Sequence, residues 1–386
     1  MKGARRSGKC VVCGGRLKRN GTTSAGRTRW RCASCGASST RSRPDVTRRG
    51  QLEAFVAWLT GTGCQHDTTP ASARSFRRQS AWCWRVEPSI AVTGEVYDCV
   101  QLDGIYLSGG WCCLIAITRG HPIAWQWCDQ EKKVVWAALM NTLPAPRVVV
   151  TDGGRGIHAA LGECWATTRV QRCLVHVQRN MRTYLTSKPR TDAGKALWAL
   201  GKQLTRLPEP DDAAKWLVGL NAWHELYGHL TRQRTYRSDD TLAPSWVKPT
   251  QTWWYTHANL RKAYRLLQRL AREQTLFTYL DPDLADLQIA STTNWIEGGI
   301  NAQLRRLLAT HRGMTCEHQR RAIEWYLYLH SEHHKAPAKL INPEHYTPNT
   351  PRHREPRNEP IGPVEYDIHP TAEEGLWARK GWAGRP

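Results

Sequence analysis

Val148-Val149-Val150-Thr151 is an unbroken apolar run, ended by Asp152 and a Gly153-Gly154 pair. A strand with no polar face must be covered on both sides, so this run predicts the buried centre of a parallel or mixed sheet between helical layers. In open sheets of that kind ligands gather beyond the carboxyl ends of the strands, where Asp152 falls. A second strand-like run, Val96 to Leu102, is closed in the same way by Asp103 and Gly104. A third acid, Glu297, lies near the start of a helix in Thr292-Thr293-Asn294-Trp295-Ile296-Glu297-Gly298-Gly299. Two carboxylates from neighbouring strand ends and a third from a helix can hold two divalent ions about 3.5–4 Å apart for in-line phosphoryl transfer. Asp103, Asp152 and Glu297 are therefore the candidate catalytic and metal-binding residues.

The segments between these acids have an order of their own. Val96–Leu102, Trp111–Thr118 and Ile123–Cys128 are three strand-like runs joined by short loops, which demand antiparallel pairing. A helix over Lys132–Leu143, with Val135, Leu139 and Leu143 in line, then leads into the Val148 strand. That helical crossover lets the Val148 strand lie parallel to the first, and puts Asp103 and Asp152 at the same end of adjacent strands. Three antiparallel strands, a helix and a parallel strand are the order of a ribonuclease H-like core. Val170 to Gln178 reads as a fifth strand running into a helix that carries Arg179 and Arg182. Two further acids are set aside. Asp98 is an odd number of residues from Asp103 and so faces the other way on a regular strand. Asp129 is taken to leave the third strand at the opposite end of the sheet.

Residues 188–290 turn helical and polar, separating the second acid from the third, and read as an inserted all-α domain. Within it, Asn259–Gln274 has Leu260, Tyr264, Leu267 and Ala271 on one face and Arg261, Arg265, Arg269 and Arg272 on the other. The stripe suits a DNA backbone; the competing reading is a solvated face. The Glu297 helix then resumes the core with Ile296, Ile300, Leu304, Leu307 and Leu308 as its buried stripe, so the catalytic domain comprises 93–187 and 291–334. Gly298 and Gly299 inside that helix cost about 1 kcal/mol each relative to Ala, which predicts close approach of backbone or DNA beside the acid. Arg305, Arg306, His311 and Arg312 follow. The last stretch, 335–386, holds nine of the 21 prolines and reads as a loosely structured tail.

The formal charge is +22, and residues 1–50 carry fourteen Lys and Arg against one acid, Asp45. Such an excess points to a polyanion partner, DNA, contacted through its phosphates. Cys10-Val-Val-Cys13 and Cys32-Ala-Ser-Cys35 lie eighteen residues apart, the spacing of a single four-cysteine structural zinc site. Residues 1–45 thus read as a zinc ribbon decorated with Arg16, Lys18, Arg29 and Arg31; a redox dithiol pair is the alternative. Residues 46–92 read as short helices, one over Gln51–Leu59 and a basic one from Ser72 with Arg77 and Arg78. They form either a helix-turn-helix-like DNA-binding segment or a small linker bundle. No apolar run approaches membrane-spanning length and the remaining cysteines are scattered, which predicts a cytoplasmic, nucleoid-associated protein with no membrane partner.

The segments QLDGIYL, VVVTDGGRGI, RVQRCLVHVQRN and TTNWIEGGINAQLRRLLATHRGM resemble DDE transposases of bacterial insertion sequences in the Mutator-like superfamily, in the variant with an N-terminal zinc-binding module. The resemblance spans roughly residues 1–335. It implies a ribonuclease H-like catalytic domain interrupted by a helical insertion, and cleavage and strand transfer at element ends. The catalytic metal would be two Mg²⁺ or Mn²⁺ ions on Asp103, Asp152 and Glu297. The partners would be the terminal inverted repeats and target DNA, with a homodimer or larger assembly on them. Cys173-Leu-Val-His176 matches the family's signature between the second and third acids; two ligands alone do not make a zinc site, and the pair is either packed beside the active site or acts in catalysis. The family also has a DNA-stacking tryptophan in the insertion, for which Trp216, Trp223, Trp253 and Trp254 compete. Two other readings stand beside a transposase: a ribonuclease H-like nuclease or resolvase, and a non-catalytic zinc-ribbon DNA-binding regulator.

Overall fold

A computed structural model describes residues 9–346 except 11, 25–26, 41–43, 64, 66–71, 108–109 and 240–241; the tail expected beyond 346 lies outside the described residues. The chain is mixed α/β. It opens with a three-stranded antiparallel sheet, β1 Leu17–Thr22, β2 Thr28–Cys32 and β3 Ser38–Thr40. Gly14 and Gly36, each directly after a Cys-x-x-Cys pair, have φ of 70° and 71°. Only glycine takes that backbone cheaply, and each amide closes a turn onto the first cysteine of its pair (Gly14 N–H to Cys10 O, 2.8 Å; Gly36 N–H to Cys32 O, 3.2 Å).

Two helices follow, α1 Pro44–Thr60 and α2 Ala73–Ser80, the second capped by Ser72 and continued by a 3₁₀ turn, Ala81–Arg85. They do not stand free. Phe55, Trp58, Phe76 and Trp84 form an aromatic cluster that takes in His311, whose Nε2 lies 2.9 Å from Leu59 O, while His318 stacks on Trp84 at 3.9 Å. This segment therefore packs on the chain that follows Glu297.

The central sheet has the order β6-β5-β4-β7-β8, built from β4 Cys99–Tyr106, β5 Cys112–Thr118, β6 His121–Cys128, β7 Val148–Thr151 and β8 Arg169–Arg172. β4, β5 and β6 pair antiparallel, and β7 is parallel to both β4 and β8, as loop lengths and crossovers predict. The Val148 run is buried throughout because both faces are covered. On one side Val100, Leu102, Leu114 and Val149 pack on α3 Lys133–Met140 and α4 Arg155–Cys164 through Trp136, Leu139, Ile157 and Leu161. On the other, Ile105, Ile115 and Ile117 pack on Ile296, Ile300, Leu304, Ile323 and Leu327. Each such side chain stabilises the fold by about 1.5–3 kcal/mol.

The segment 174–276 has a core of its own. Helices α5 Leu174–Leu185, α6 Asp192–Gln203, α7 Pro210–Tyr227 and α8 Ala258–Arg272 enclose Met181, Leu197, Trp216, Trp223, Tyr264 and Leu267, beside a short hairpin of β9 Arg234–Tyr236 and β10 Trp253–Tyr255. Pro210 starts α7 instead of breaking it, since a first-turn proline forfeits no helical hydrogen bond. The chain returns through a π-helix, Trp295–Asn301, then α9 Ala302–Thr310 and α10 Cys316–His330.

Candidate active site

The last parallel pair between β4 and β7 is Leu102 with Thr151, so Asp103 and Asp152 are the next residues of adjacent strands. Asp103 does not close its strand as the sequence suggested. β4 runs on to Tyr106 because Gly104, Ile105 and Tyr106 keep pairing with Leu114, Cys113 and Cys112. By strand alternation Asp103 shares a face with Gln101 and Ile105, the face under the π-helix. Asn301 Nδ2 from that helix donates to Asp103 Oδ2 at 2.9 Å. Burial, resisted by the Gly104 amide and reinforced by the Asp152 and Glu297 carboxylates, pushes the Asp103 carboxyl up to about 7. Burial is the largest cause, and the neighbouring carboxylates add to it.

Asp152 turns into the Gly153-Gly154 bend, where the Gly154 amide donates to its Oδ1 at 2.9 Å. Gly153 has φ 70°, and a β-carbon there would coincide with the guanidinium of the buried Arg172, which arrives from β8 opposite Thr151. Glu297 is held from three sides. Arg179 Nη1 donates to Oε2 at 2.8 Å, Thr293 Oγ1 donates to Oε1 at 3.1 Å, and His176 Nδ1 lies 3.2 Å from Oε1. Burial opposes ionisation of Glu297, but Arg179, His176 and Thr293 together outweigh it and hold its pKa below the ordinary value. Of the two helix glycines, Gly298 is tight against Asn294, whose Oδ1 would sit 2.8 Å from a β-carbon, whereas Gly299 faces open space. Only the first meets the expected close approach, and it meets a side chain.

Cys173 caps α5, and its amide bonds the Thr151 carbonyl at 2.9 Å, locking the end of β8 to the end of β7. Its Sγ accepts from the Thr293 amide (3.3 Å) and hydroxyl (3.2 Å). Burial works against the thiolate, yet His176 and Thr293 lower the Cys173 pKa, and the same contact with Cys173 raises that of His176. Among the described residues, metal-type donor groups drawn within 4.8 Å of one another are Cys10/Cys13/Cys32/Cys35 and Cys173/His176/Glu297. Asp103 interacts electrostatically with both Asp152 and Glu297 without the three joining in so tight a group.

Sequence reasoning passed over several of these partners. Thr293 and Asn301 lie four residues either side of Glu297, and Arg179 lies three beyond His176, so helical spacing alone could have found them. Arg172 and Glu131 gave no such signal. Glu131 is half-buried, with its pKa raised by burial and then by Asp152, and its Oε1 would sit 2.6 Å from a β-carbon on Gly104. The two acids set aside stay outside. Asp98 precedes β4 and faces Arg119 and Arg147 at 3.7 and 3.8 Å. The directional argument against Asp129 fails, because β6 is antiparallel to β5 and so runs the same way as β4. Asp129 is instead excluded by exposure and by its 3.1 Å ion pair with Lys132.

The N-terminal cysteines converge as the spacing predicts. Cys10 and Cys35 Sγ lie 3.7 Å apart, and Cys13 and Cys32 Sγ 3.5 Å apart. Four thiols at these separations match the edges of a tetrahedron with Zn–S bonds of about 2.3 Å, so the residues fit one zinc ion. On this ribbon Lys18 is directly opposite Arg31, with Arg29 two residues along the same face, and all three are exposed, as is Arg16. Like charges directly opposite destabilise a sheet unless an anion lies over them.

The other basic positions divide. Arg77, Arg78, Arg305 and Arg312 are exposed. On α8, Arg265, Arg269 and Arg272 are exposed, but Arg261 stacks on Tyr255 at 3.7 Å and donates to Thr231 O at 2.6 Å, pinning the hairpin to the helix. The salt test of this stripe therefore uses Arg265→Gln with Arg272→Gln. If both track phosphates, the slope of log affinity against log salt falls by about 0.9 per contact on duplex DNA; an unchanged slope returns them to plain surface. Trp216 and Trp223 are core residues with their indole N–H bonded to Leu200 O and Ala193 O, both at 2.9 Å, and Trp254 is buried. Trp253 is half-buried under Arg234 at 4.1 Å, and with the exposed Trp246, which sequence reasoning missed, lines a cavity of about 300 Å³ flanked by Arg261 and Arg265.

Residues 120–203 match the family described as Transposase, Mutator family. The match bears out the resemblance over that span and supports a transposase function. It contains Asp152, Cys173 and His176; Asp103, Glu297 and the four N-terminal cysteines lie outside it. No curated protein matches the chain. Among the described residues, no helix is long and apolar enough to cross a membrane.

Proposed function

We propose that this chain, which carries a Mutator-family transposase segment at residues 120–203, cuts and joins DNA at the ends of a mobile element through Asp103, Asp152 and Glu297. The observation that carries the reading is that Asp103 and Asp152 follow the last paired positions of β4 and β7, on the side of the sheet where the π-helix that bears Glu297 packs. The order of the sheet, with a mainly helical segment that also carries the β9–β10 hairpin, and so is not all-α as expected, between β8 and that helix, is compatible with an interrupted ribonuclease H-like core.

Hard carboxylate oxygens suit Mg²⁺ or Mn²⁺, and carboxylates gathered near Asp103 raise its pKa on top of burial. The residues present fit such ions, which when bound would neutralise charge developing on the attacking and leaving oxygens. Around them the protein's own groups prepare the site. Asn301 fixes Asp103, the Gly154 amide fixes Asp152, and Arg179 with Thr293 fixes Glu297. Water attacks a phosphodiester at the element end and releases a 3′-hydroxyl; that hydroxyl then attacks a phosphodiester of the target, so the same acids serve both displacements. The ribbon face with Lys18, Arg29 and Arg31 and the exposed arginines of α8 supply phosphate contacts, and Trp246 and Trp253 offer ring faces for an unpaired base.

Incubating the protein with Mg²⁺ and a duplex that joins an element end to flanking DNA tests this directly. Strand cleavage leaving a 3′-hydroxyl is the expected product, and its appearance in excess chelator would contradict the reading.

A further inference from the structure

We propose that Cys173, His176 and Glu297 form a second metal site, selective for a borderline-soft divalent cation of the zinc type and distinct from the ribbon. The two-residue signature was one ligand short in sequence; the fold supplies the third donor from the π-helix, more than a hundred residues away. Sγ, a ring nitrogen and a carboxylate oxygen lie within 4.8 Å of one another. Around zinc, bonds of about 2.0–2.3 Å to such donors make tetrahedral edges of about 3.3–3.8 Å, and His176 Nδ1 to Glu297 Oε1 already measures 3.2 Å. Nδ1 is buried and, among the described residues, meets no partner in good hydrogen-bond geometry. A nitrogen set between a thiol and a carboxylate in this way is where a cation would take all three donors.

The surroundings hold the donors in place. The Thr293 amide donates to Sγ, and its hydroxyl, 3.2 Å from Sγ and 3.1 Å from Oε1, has one proton to give to either. Arg179 donates to Oε2, and Oε1 is the oxygen beside the His176 ring. Partners of this kind orient ligands in metal sites generally. Cys173 is fully buried, while His176 and Glu297 keep side-chain exposures of 23% and 24%, enough for water to take the fourth position. Binding displaces the thiol proton to solvent and requires the ring proton on Nε2, which lies 3.5 Å from Arg179 Nη1. Sulfur and imidazole donors disfavour Mg²⁺ and favour zinc. The site rests on geometry alone, and its test needs no DNA chemistry.

Full-length protein equilibrated with Zn²⁺ and freed of excess metal should retain two zinc ions per chain. Cys13→Ser, Cys173→Ser and His176→Gln should each retain one, and Cys13→Ser with Cys173→Ser none. Co²⁺ in the Cys13→Ser protein should show a thiolate charge-transfer band that Cys173→Ser removes, with circular dichroism confirming that each variant is folded. Wild-type protein with a single zinc, or a folded Cys173→Ser variant that keeps two, would overturn the proposal.

Discussion

Asp103→Asn, Asp152→Asn and Glu297→Gln should each cut strand cleavage by at least about three orders of magnitude, the effect of removing about 4 kcal/mol of transition-state stabilisation. Duplex affinity should stay within about twofold, because phosphate contacts, not the acid cluster, dominate it. The two aspartates are expected to fail by losing an anionic ligand from adjacent strands. Glu297→Gln has a further consequence, since Arg179 and His176 both lose their ionised partner; it should also shift thermal stability in the absence of metal, which Asp103→Asn should not do in the same direction. Relieving the crowded, buried carboxyl of Asp103 is stabilising when no cation is bound. Asp98→Asn, whose parent faces Arg119 and Arg147 outside the site, should cleave as the wild type does. Full activity in Glu297→Gln would remove that residue from the assignment.

Cys13→Ser should release the ribbon zinc and unfold residues around 9–40 while the central sheet remains intact. Structural zinc contributes apparent binding energies of about 10–16 kcal/mol in small zinc modules, far more than the few buried side chains of this ribbon can supply. Cys10 and Cys32 are the only cysteines of the four that are buried there. Elemental analysis should show one zinc fewer per chain, and circular dichroism should lose only a small part of its signal. Binding to element ends should weaken, because Lys18, Arg29 and Arg31 lose the sheet that aligns them. An unchanged zinc content would contradict the ligand set.

Much of this was legible in the sequence because period and spacing are local. Three consecutive valines announced β7, Asp152 and Gly153 marked its end, and two Cys-x-x-Cys pairs announced their own convergence. What was not legible depended on tertiary pairing. β4 extends past Asp103 because β5 offers Cys112, Cys113 and Leu114 as partners, and nothing in QLDGIYL reveals that. The error over Asp129 came from tracking strand direction through one hairpin and not two. Arg261 looked like one of four equivalent arginines until the hairpin at Tyr255 claimed it. The grouping of Cys173 and His176 with Glu297 needed the return of the chain after a long helical segment, which no spacing rule can supply.

The central claim is that one acid cluster performs both displacements, and strand joining from a pre-cleaved end tests it most directly. An oligonucleotide duplex carrying an element end with a free 3′-hydroxyl is incubated with Mg²⁺, target plasmid, and either wild-type protein or the Asp152→Asn variant. Joined product with the wild type and none with the variant is the predicted result. A variant that joins normally while failing to cleave would contradict a single shared centre.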